Sequence, residues 1–193
     1  MRRPVFSKAV CSKAALRVAL LAWSIAAIVP ASGPAYAQGG TTKGKVASTP
    51  NETLNGPGVA VEGDLLAING TPVRLMGIDA PDPGQKCKNR NGHELDCFRI
   101  ATAVLAGLLK DEEVRCTIAE KDRLGQLNGE CRVRGVDLGA AMVARGWAFA
   151  YRSLSPTYAS SEAFAQSRRL GLWSGKVEKP WQWRSRQQRE QAR

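Results

Sequence analysis

A chain of 193 residues, 44% hydrophobic and 23% charged, holds enough apolar material for one packed core and too little length for an array of domains. Its formal net charge of +11 excludes an acidic, self-solvating chain and suits a polyanionic partner. The start, "MRRPVFSKAVCSKAALR", carries Arg2, Arg3, Lys8, Lys13 and Arg17 and no acid. The apolar run "VALLAWSIAAIVPA" and the small-x-small signal "AYA" at 35–37 follow, which is the pattern of a secretory leader rather than a membrane anchor. A buried N-terminal helix is the competing reading. The twin arginine raises a Tat route, but Phe6 and Lys8 fit that pattern poorly and favour Sec. The expectation is a mature, periplasmic or secreted protein from Gln38, with no membrane span after cleavage. Without the five leader cations, 23 Lys and Arg remain against 17 Asp and Glu, a net of +6.

Residues 38–57 are rich in Gly, Thr, Ser and Asn and read as a disordered linker. A folded domain is expected over 58–175. "GVAVEGDLLAINGTPVRLMGI" gives two strand-like runs around Asn69-Gly70, whose residues both tolerate positive φ; a bulge fits at Glu62-Gly63. Asp96 can cap a helix in which Phe98, Ala101, Leu105, Leu108 and Leu109 recur at helical spacing. "EVRCTIAE" puts Val114, Cys116 and Ile118 on one strand face, and "GECRVRG" puts Cys131 and Val133 on one face of its partner. Asp137 caps a second helix with Leu138, Ala141 and Met142 inward, stopped by Gly146. A third helix starts at Ser155-Pro156 and ends at Gly171. The segment 176–193 is a basic, Trp-containing tail with six cations and two acids, read either as a polyanion contact or as a solvated tail; at least one of Trp181 and Trp183 is expected to pack on the domain. The order predicts an α+β, mainly β fold: a five-stranded Greek-key barrel of the OB type with three helices.

Cys11 leaves with the leader, and Cys87, Cys97, Cys116 and Cys131 remain, an even count that suits two disulfides in an oxidising compartment. Cys116 and Cys131 lie on successive strands about a turn near Arg123-Leu124, so they face each other across a hairpin. That leaves Cys87 to pair with Cys97. A zinc site is the alternative, but no C-x-x-C spacing supports it.

The chemistry gathers around "VRLMGIDAPD". Asp64, after the expected bulge, and Asp79, at a strand end, make a hard-oxygen pair for Ca²⁺ or Mg²⁺. Arg74 suits bidentate phosphate binding, and Asp82 suits holding or activating a water. Together these groups meet the needs of phosphodiester hydrolysis. Taken singly they also fit solvated turn acids and a surface ion pair. Alternation sharpens the geometry: a two-residue Asn69-Gly70 turn pairs Arg74 with Leu65, off the Asp64 face. A shared pocket then requires a bulged three-residue loop at Gly70, or bends at Gly63 and Gly77. His93, the only histidine, reads as a solvated loop residue rather than a general base.

"VEGDLLAINGTPVRLMGIDAPD", "EKDRLGQLNGEC", "GVDLGAAMVARGWAFAY" and "SRRLGLW" together resemble the thermonuclease (staphylococcal-nuclease-like) family over about residues 58–174. The resemblance implies an OB-fold barrel with three helices and Ca²⁺-dependent hydrolysis of DNA and RNA. It makes Asp64, Asp79 and the Ala80 carbonyl the metal ligands and Arg74 a phosphate-binding arginine. Asp82 falls where the family has a water-orienting glutamate. Gln126 replaces the second catalytic arginine and is expected on the opposite rim of the pocket. Leu124 stands for a substrate-packing tyrosine, and Leu65 for a threonine near the metal. An uncharged amide cannot compensate phosphorane charge; a lost transition-state donor costs roughly 3–4 kcal/mol. The expectation is weak or altered phosphodiester hydrolysis by a monomer, with calcium as cofactor and nucleic acid, single strands favoured, as partner. The alternatives are a catalytically inactive module binding nucleic acid or another ligand, and a structural protein of the cell envelope.

Overall fold

The computed structural model describes residues 52–151 and 157–193. The leader, most of the expected linker and the Ser155-Pro156 helix start lie outside the described residues. In chain order the strands β1 (Thr53–Ala60), β2 (Leu65–Ile68), β3 (Thr71–Leu75), β4 (Ile78–Asp79), β5 (Lys86–Lys88) and β6 (Glu94–Asp96) lead into helix α1 (Cys97–Leu109). Strands β7 (Glu113–Lys121), β8 (Leu127–Val133) and β9 (Val136–Asp137) precede α2 (Leu138–Ala144) and β10 (Phe149–Ala150). Helix α3 (Ala159–Ser167), a 3-10 turn (Gly171–Ser174) and α4 (Pro180–Gln191) complete the described residues.

Five strands close a barrel. β1 pairs with β2 and with β7, β2 with β3, and β7 with β8, all antiparallel, and a parallel β3–β8 pairing shuts the seam. This is the expected OB-type architecture. The inward alternation follows the sequence: Val114, Cys116 and Ile118 from β7 and Cys131 and Val133 from β8 are buried with Leu66, Ile68, Val73 and Leu75. α1 closes one end with Ala101, Leu105 and Leu109, and α2 adds Leu138 and Met142. Each fully buried Leu or Ile here contributes about 1.5–3 kcal/mol. Both helix caps are as read: Asp96 accepts from the Arg99 amide, and Asp137 from the Ala140 amide.

Both disulfides form as expected. Cys116 and Cys131 are register partners, with Cα atoms 4.0 Å apart, and Cys87 joins Cys97 across 5.9 Å between Cα atoms. The β5–β6 hairpin closed by Cys87–Cys97 belongs to a second small cluster with Phe149, Leu172, Trp173 and Trp181.

Several boundaries differ from the sequence reading. The linker does not run to residue 57: Thr53 to Pro57 pair with β7, from Thr53 opposite Thr117 to Pro57 opposite Glu113. Their polarity hides a strand whose partner supplies the hydrogen bonds and whose Leu54 packs on the core. α3 ends at Ser167 rather than at Gly171, which opens the 3-10 turn. The basic segment past Lys176 is not a plain tail, because Pro180 at the first turn starts a fourth helix. The turn at Asn69 (φ 49°) and Gly70 (φ 82°) is the two-residue form, and Leu65 faces Arg74, so the bulged three-residue register is not adopted.

Candidate functional site

The other route to a shared pocket is the one taken. Residues 61–64 form a continuous bend, held by the Val61 and Glu62 amides donating to the Leu65 carbonyl. Asp64 therefore precedes β2, and strict alternation does not govern its side chain. Gly63 permits close approach of the bend to α1: a Cβ there would come within 2.8 Å of the Ala101 and Ala80 Cβ atoms. Gly77 (φ 79°) turns the chain between β3 and β4, and β4 pairs with β10 so that Asp79 faces Phe149.

Arg74 joins the two bends. Its Nη1 donates to Asp64 Oδ1 at 2.5 Å and its Nη2 to Glu62 Oε2 at 2.9 Å. Asp64 Oδ2 accepts from the Ala80 amide at 3.2 Å, so the contact Ala80 makes with this carboxylate is through its N–H. Asp64, Arg74, Asp79 and Asp82 line one open pocket of about 370 Å³ together with Ile78, Tyr151 and Arg184. Burial pushes the Asp64 carboxyl up to about 6, although the Arg74 charge and the Ala80 amide pull the other way. Burial also raises Asp82, against the pull of Arg184. Arg74 is held above its ordinary value: burial lowers it, and Asp64 and Glu62 outweigh that.

Two groups in the site were missed by sequence reasoning. The bulge expected at Glu62-Gly63 gives Glu62 no role in the site. Arg184, on α4, reaches across the pocket mouth. Its Nη2 donates to Asp79 Oδ2 at 2.7 Å, and its Nη1 to Asp79 Oδ1 at 3.1 Å and to Asp82 Oδ1 and Oδ2 at 3.1 and 2.8 Å. The helix is anchored for this by Trp181, whose ring meets Tyr151 and Phe149 edge-on at 5.5 and 6.0 Å. The available signal was spacing: on a helix, residue 184 shares a face with residue 181, so a docked Trp181 turns Arg184 inward.

Gln126 is not on the pocket rim. Its turn is ordered by Asp122, which accepts from the Leu124 and Gln126 amides, and its side-chain amide donates to the Leu127 and Pro72 carbonyls. A glutamine is short enough to satisfy itself on the backbone here. Leu124 is 95% exposed and packs on nothing in the pocket, and His93 lies exposed in the β5–β6 loop.

The donor set does not fit calcium in this arrangement. Calcium takes six to eight oxygen ligands at roughly 2.3–2.6 Å. Both oxygens of Asp64, Asp79 and Asp82 already accept from Arg74, Ala80 or Arg184. Among the described residues no three acids, histidines or cysteines converge as a metal cage.

Comparison with known proteins places this geometry. Residues 72–175 match the family model described as "Staphylococcal nuclease homologue", a span that includes Arg74, Asp79, Asp82 and Gln126 but not Asp64 or Arg184. The chain is 31% identical over 130 residues to the succinoglycan biosynthesis protein ExoI of Rhizobium meliloti (strain 1021), covering 66% of this chain and 68% of that one. It is 30% identical over 142 residues to the protein ParB of Escherichia coli, covering 64% and 75%. The probable staphylococcal-like nuclease CAN1 of Oryza sativa subsp. japonica is 31% identical over 115 residues, 58% of this chain but only 32% of the rice protein's length. The closed barrel, the arginine-bearing strand that leads to Asp79, and a family match over more than half of its length agree: the chain belongs to the staphylococcal nuclease homologue family, with a nuclease-like domain.

Proposed function

We propose that this protein is a weak phosphodiester hydrolase acting on nucleic acid, with single-stranded DNA or RNA as substrate. The observation that carries the reading is the convergence of Arg74, Asp64, Asp79 and Asp82 on one open pocket of a nuclease-family barrel. Family membership alone does not fix the activity, since a relative named for succinoglycan biosynthesis shares the fold region. The site chemistry is what points to phosphate.

In this reading the Arg74 guanidinium binds the phosphate oxygens and stabilises the charge that grows on them, a role suited to its planar fork. Asp82 holds the attacking water and takes its proton as the water oxygen adds to phosphorus and the bond to the sugar oxygen breaks, the leaving oxygen taking a proton from solvent. Asp64 and Glu62 hold Arg74 in place from the strand side. No step is routed through calcium. The family resemblance would assign it to Asp64 and Asp79, but their oxygens are already engaged. Two features set the activity low. Position 126 offers an amide turned onto the backbone, and Asp82 is shorter by one methylene than the glutamate it replaces; misplaced catalytic groups of this kind cost about two decades in rate.

Export belongs to the same proposal. The leader pattern at 1–37 supports it, and the two disulfides suit an oxidising compartment. Among the described residues no helix is long and apolar enough to cross a membrane.

A second reading, binding without cleavage, is favoured by the orientation of Gln126. The test is cleavage of a labelled single-stranded oligonucleotide with calcium chloride and with chelator. Slow cleavage by the wild type is expected, abolished in Arg74→Ala and raised at least about tenfold in Gln126→Arg. Binding with no cleavage in any of the three would overturn hydrolysis in favour of the second reading.

A further inference from the structure

The disagreement between this site and calcium has a definite cause. The bend, β4 and the Pro81-Asp82 turn bring Asp64, Asp79 and Asp82 around one pocket, and Glu62 adds a fourth carboxylate beside it, on Arg74. Such a cluster needs cations to be stable, because carboxylates this close repel one another. Arg74 answers Glu62 and Asp64 from β3, a strand of the barrel. Among the described residues, the cation that meets the Asp79 and Asp82 carboxylates is Arg184. Their partner comes from 102 and 105 residues away, on a helix that lies beyond the family match.

We propose that Arg184 is the resident cation of this site: its guanidinium holds the place between Asp79 and Asp82 that a divalent ion would need, so calcium binds only by displacing it. Four contacts to two carboxylates use both terminal nitrogens of the fork, a grip that an ammonium cannot reproduce. The helix that carries the fork is held independently of it. Trp181 is wedged against Phe149 and Tyr151, Pro180 is buried, and the Gln85 side chain donates to the Glu178 carbonyl at 2.7 Å. Gln85 in turn accepts from the Asp82 amide at 3.1 Å, so the segment leading to α4 and the turn bearing Asp82 are positioned by one side chain. The guanidinium is thus delivered by packing and is not a chance surface contact. Because it is tethered, it acts at high effective concentration, which an ion from solution must overcome.

The inference rests on the pocket being the family's carboxylate site and not on hydrolysis. Its test reads ion binding: calorimetric titration of calcium chloride into the purified protein and into Arg184→Met, which keeps the aliphatic stem and removes the charge. Calcium affinity in Arg184→Met should exceed that of the wild type by at least about tenfold, since affinity at such sites follows the charge on the ligand set. Calcium should also raise the melting temperature of the variant more than that of the wild type. Equal or weaker affinity in Arg184→Met, or no binding by either protein, would overturn the proposal. Should Arg184→Met not fold, two measurements remain. Arg184→Lys, which keeps a cation but not the fork, should also bind calcium more tightly than the wild type, and equal affinity would overturn the proposal. In the wild type, the Arg184 guanidinium resonances should shift as calcium binds, and calcium bound with those resonances unchanged would overturn it. Absence of cleavage by every variant would sink the proposed hydrolysis and leave this inference standing.

Discussion

Asp64 shows what the pocket costs the fold. The carboxylate is 4% exposed and is pushed up to about 6 by burial, against 3.8 for the same group in an open chain. Between those two values the native state keeps a proton that the unfolded state has lost, so this group's contribution is fully present below about pH 4 and is lost as pH rises through about 6. Asp64→Asn removes that dependence and leaves Arg74 its Glu62 partner. The variant should therefore gain on the wild type by ~2–3 kcal/mol between pH 4 and pH 7 with chelator present, read from urea unfolding at both pH values. A difference that does not change with pH would show that Asp64 ionises freely. At this scale the sequence was informative where chemistry is local. Arg74, Asp79 and Asp82 sit within nine positions, and a short strand followed by a proline turn places them together. Asp64 is brought in by a hairpin that Asn69-Gly70 announces. Gln126 misled for a specific reason: its place in the turn before β8 is legible, but the side chain's choice of the Leu127 carbonyl over the pocket is not.

Helix α4 is the element that changes the reading of the site. A segment of Gln, Arg and Trp with six cations from Lys176 onward looks like solvated chain, because no apolar period of 3.6 marks it. Its helix is stabilised instead by Pro180 at the first turn, by Arg186 bridging Glu178 and Glu190, and by Trp181 on the packed side. The disulfide hairpin contributes as well, since Lys88 and Lys176 exchange backbone hydrogen bonds at 2.8 and 2.9 Å and tie the start of this segment to β5. Trp181→Ala should therefore lower the thermal midpoint by roughly 5 °C, as expected for about 2 kcal/mol lost from a domain of this size. Melting equal to the wild type would place α4 outside the cooperative fold and would weaken the case that packing delivers Arg184. The β1 extension was missed for the same kind of reason as α4. Thr53 to Pro57 gain strand geometry from the edge that β7 offers, which no local pattern reveals.

For the whole molecule, the barrel was legible because each antiparallel hairpin is local, and alternation fixes which residues face inward. The parallel β3–β8 closure was not, because it joins Val73 to Leu127 across the α1 and β7 segments. That closure sets Arg74 beside Asn128. Charge at this scale argues against a broad electrostatic footprint. Residues 57–175 carry 15 basic and 14 acidic groups, and of the six tail cations Arg184 and Arg186 are already paired with carboxylates. In the proposed mode a strand meets this nearly neutral domain through a few phosphate contacts, with Arg74, itself paired with Asp64 and Glu62, among them. Affinity for a mixed-sequence single strand in chelator should fall with salt on a shallow log–log slope of about −2, as for some three phosphates neutralised at −0.7 each. Arg74→Ala should reduce that slope by about 0.7 and weaken binding alike for unrelated sequences, because a phosphate contact carries no base information. Fluorescence anisotropy across a salt series gives both numbers. A slope of zero would mean that the strand is not held through phosphates. An unchanged slope in Arg74→Ala would move the contact away from the pocket and onto another face of the barrel.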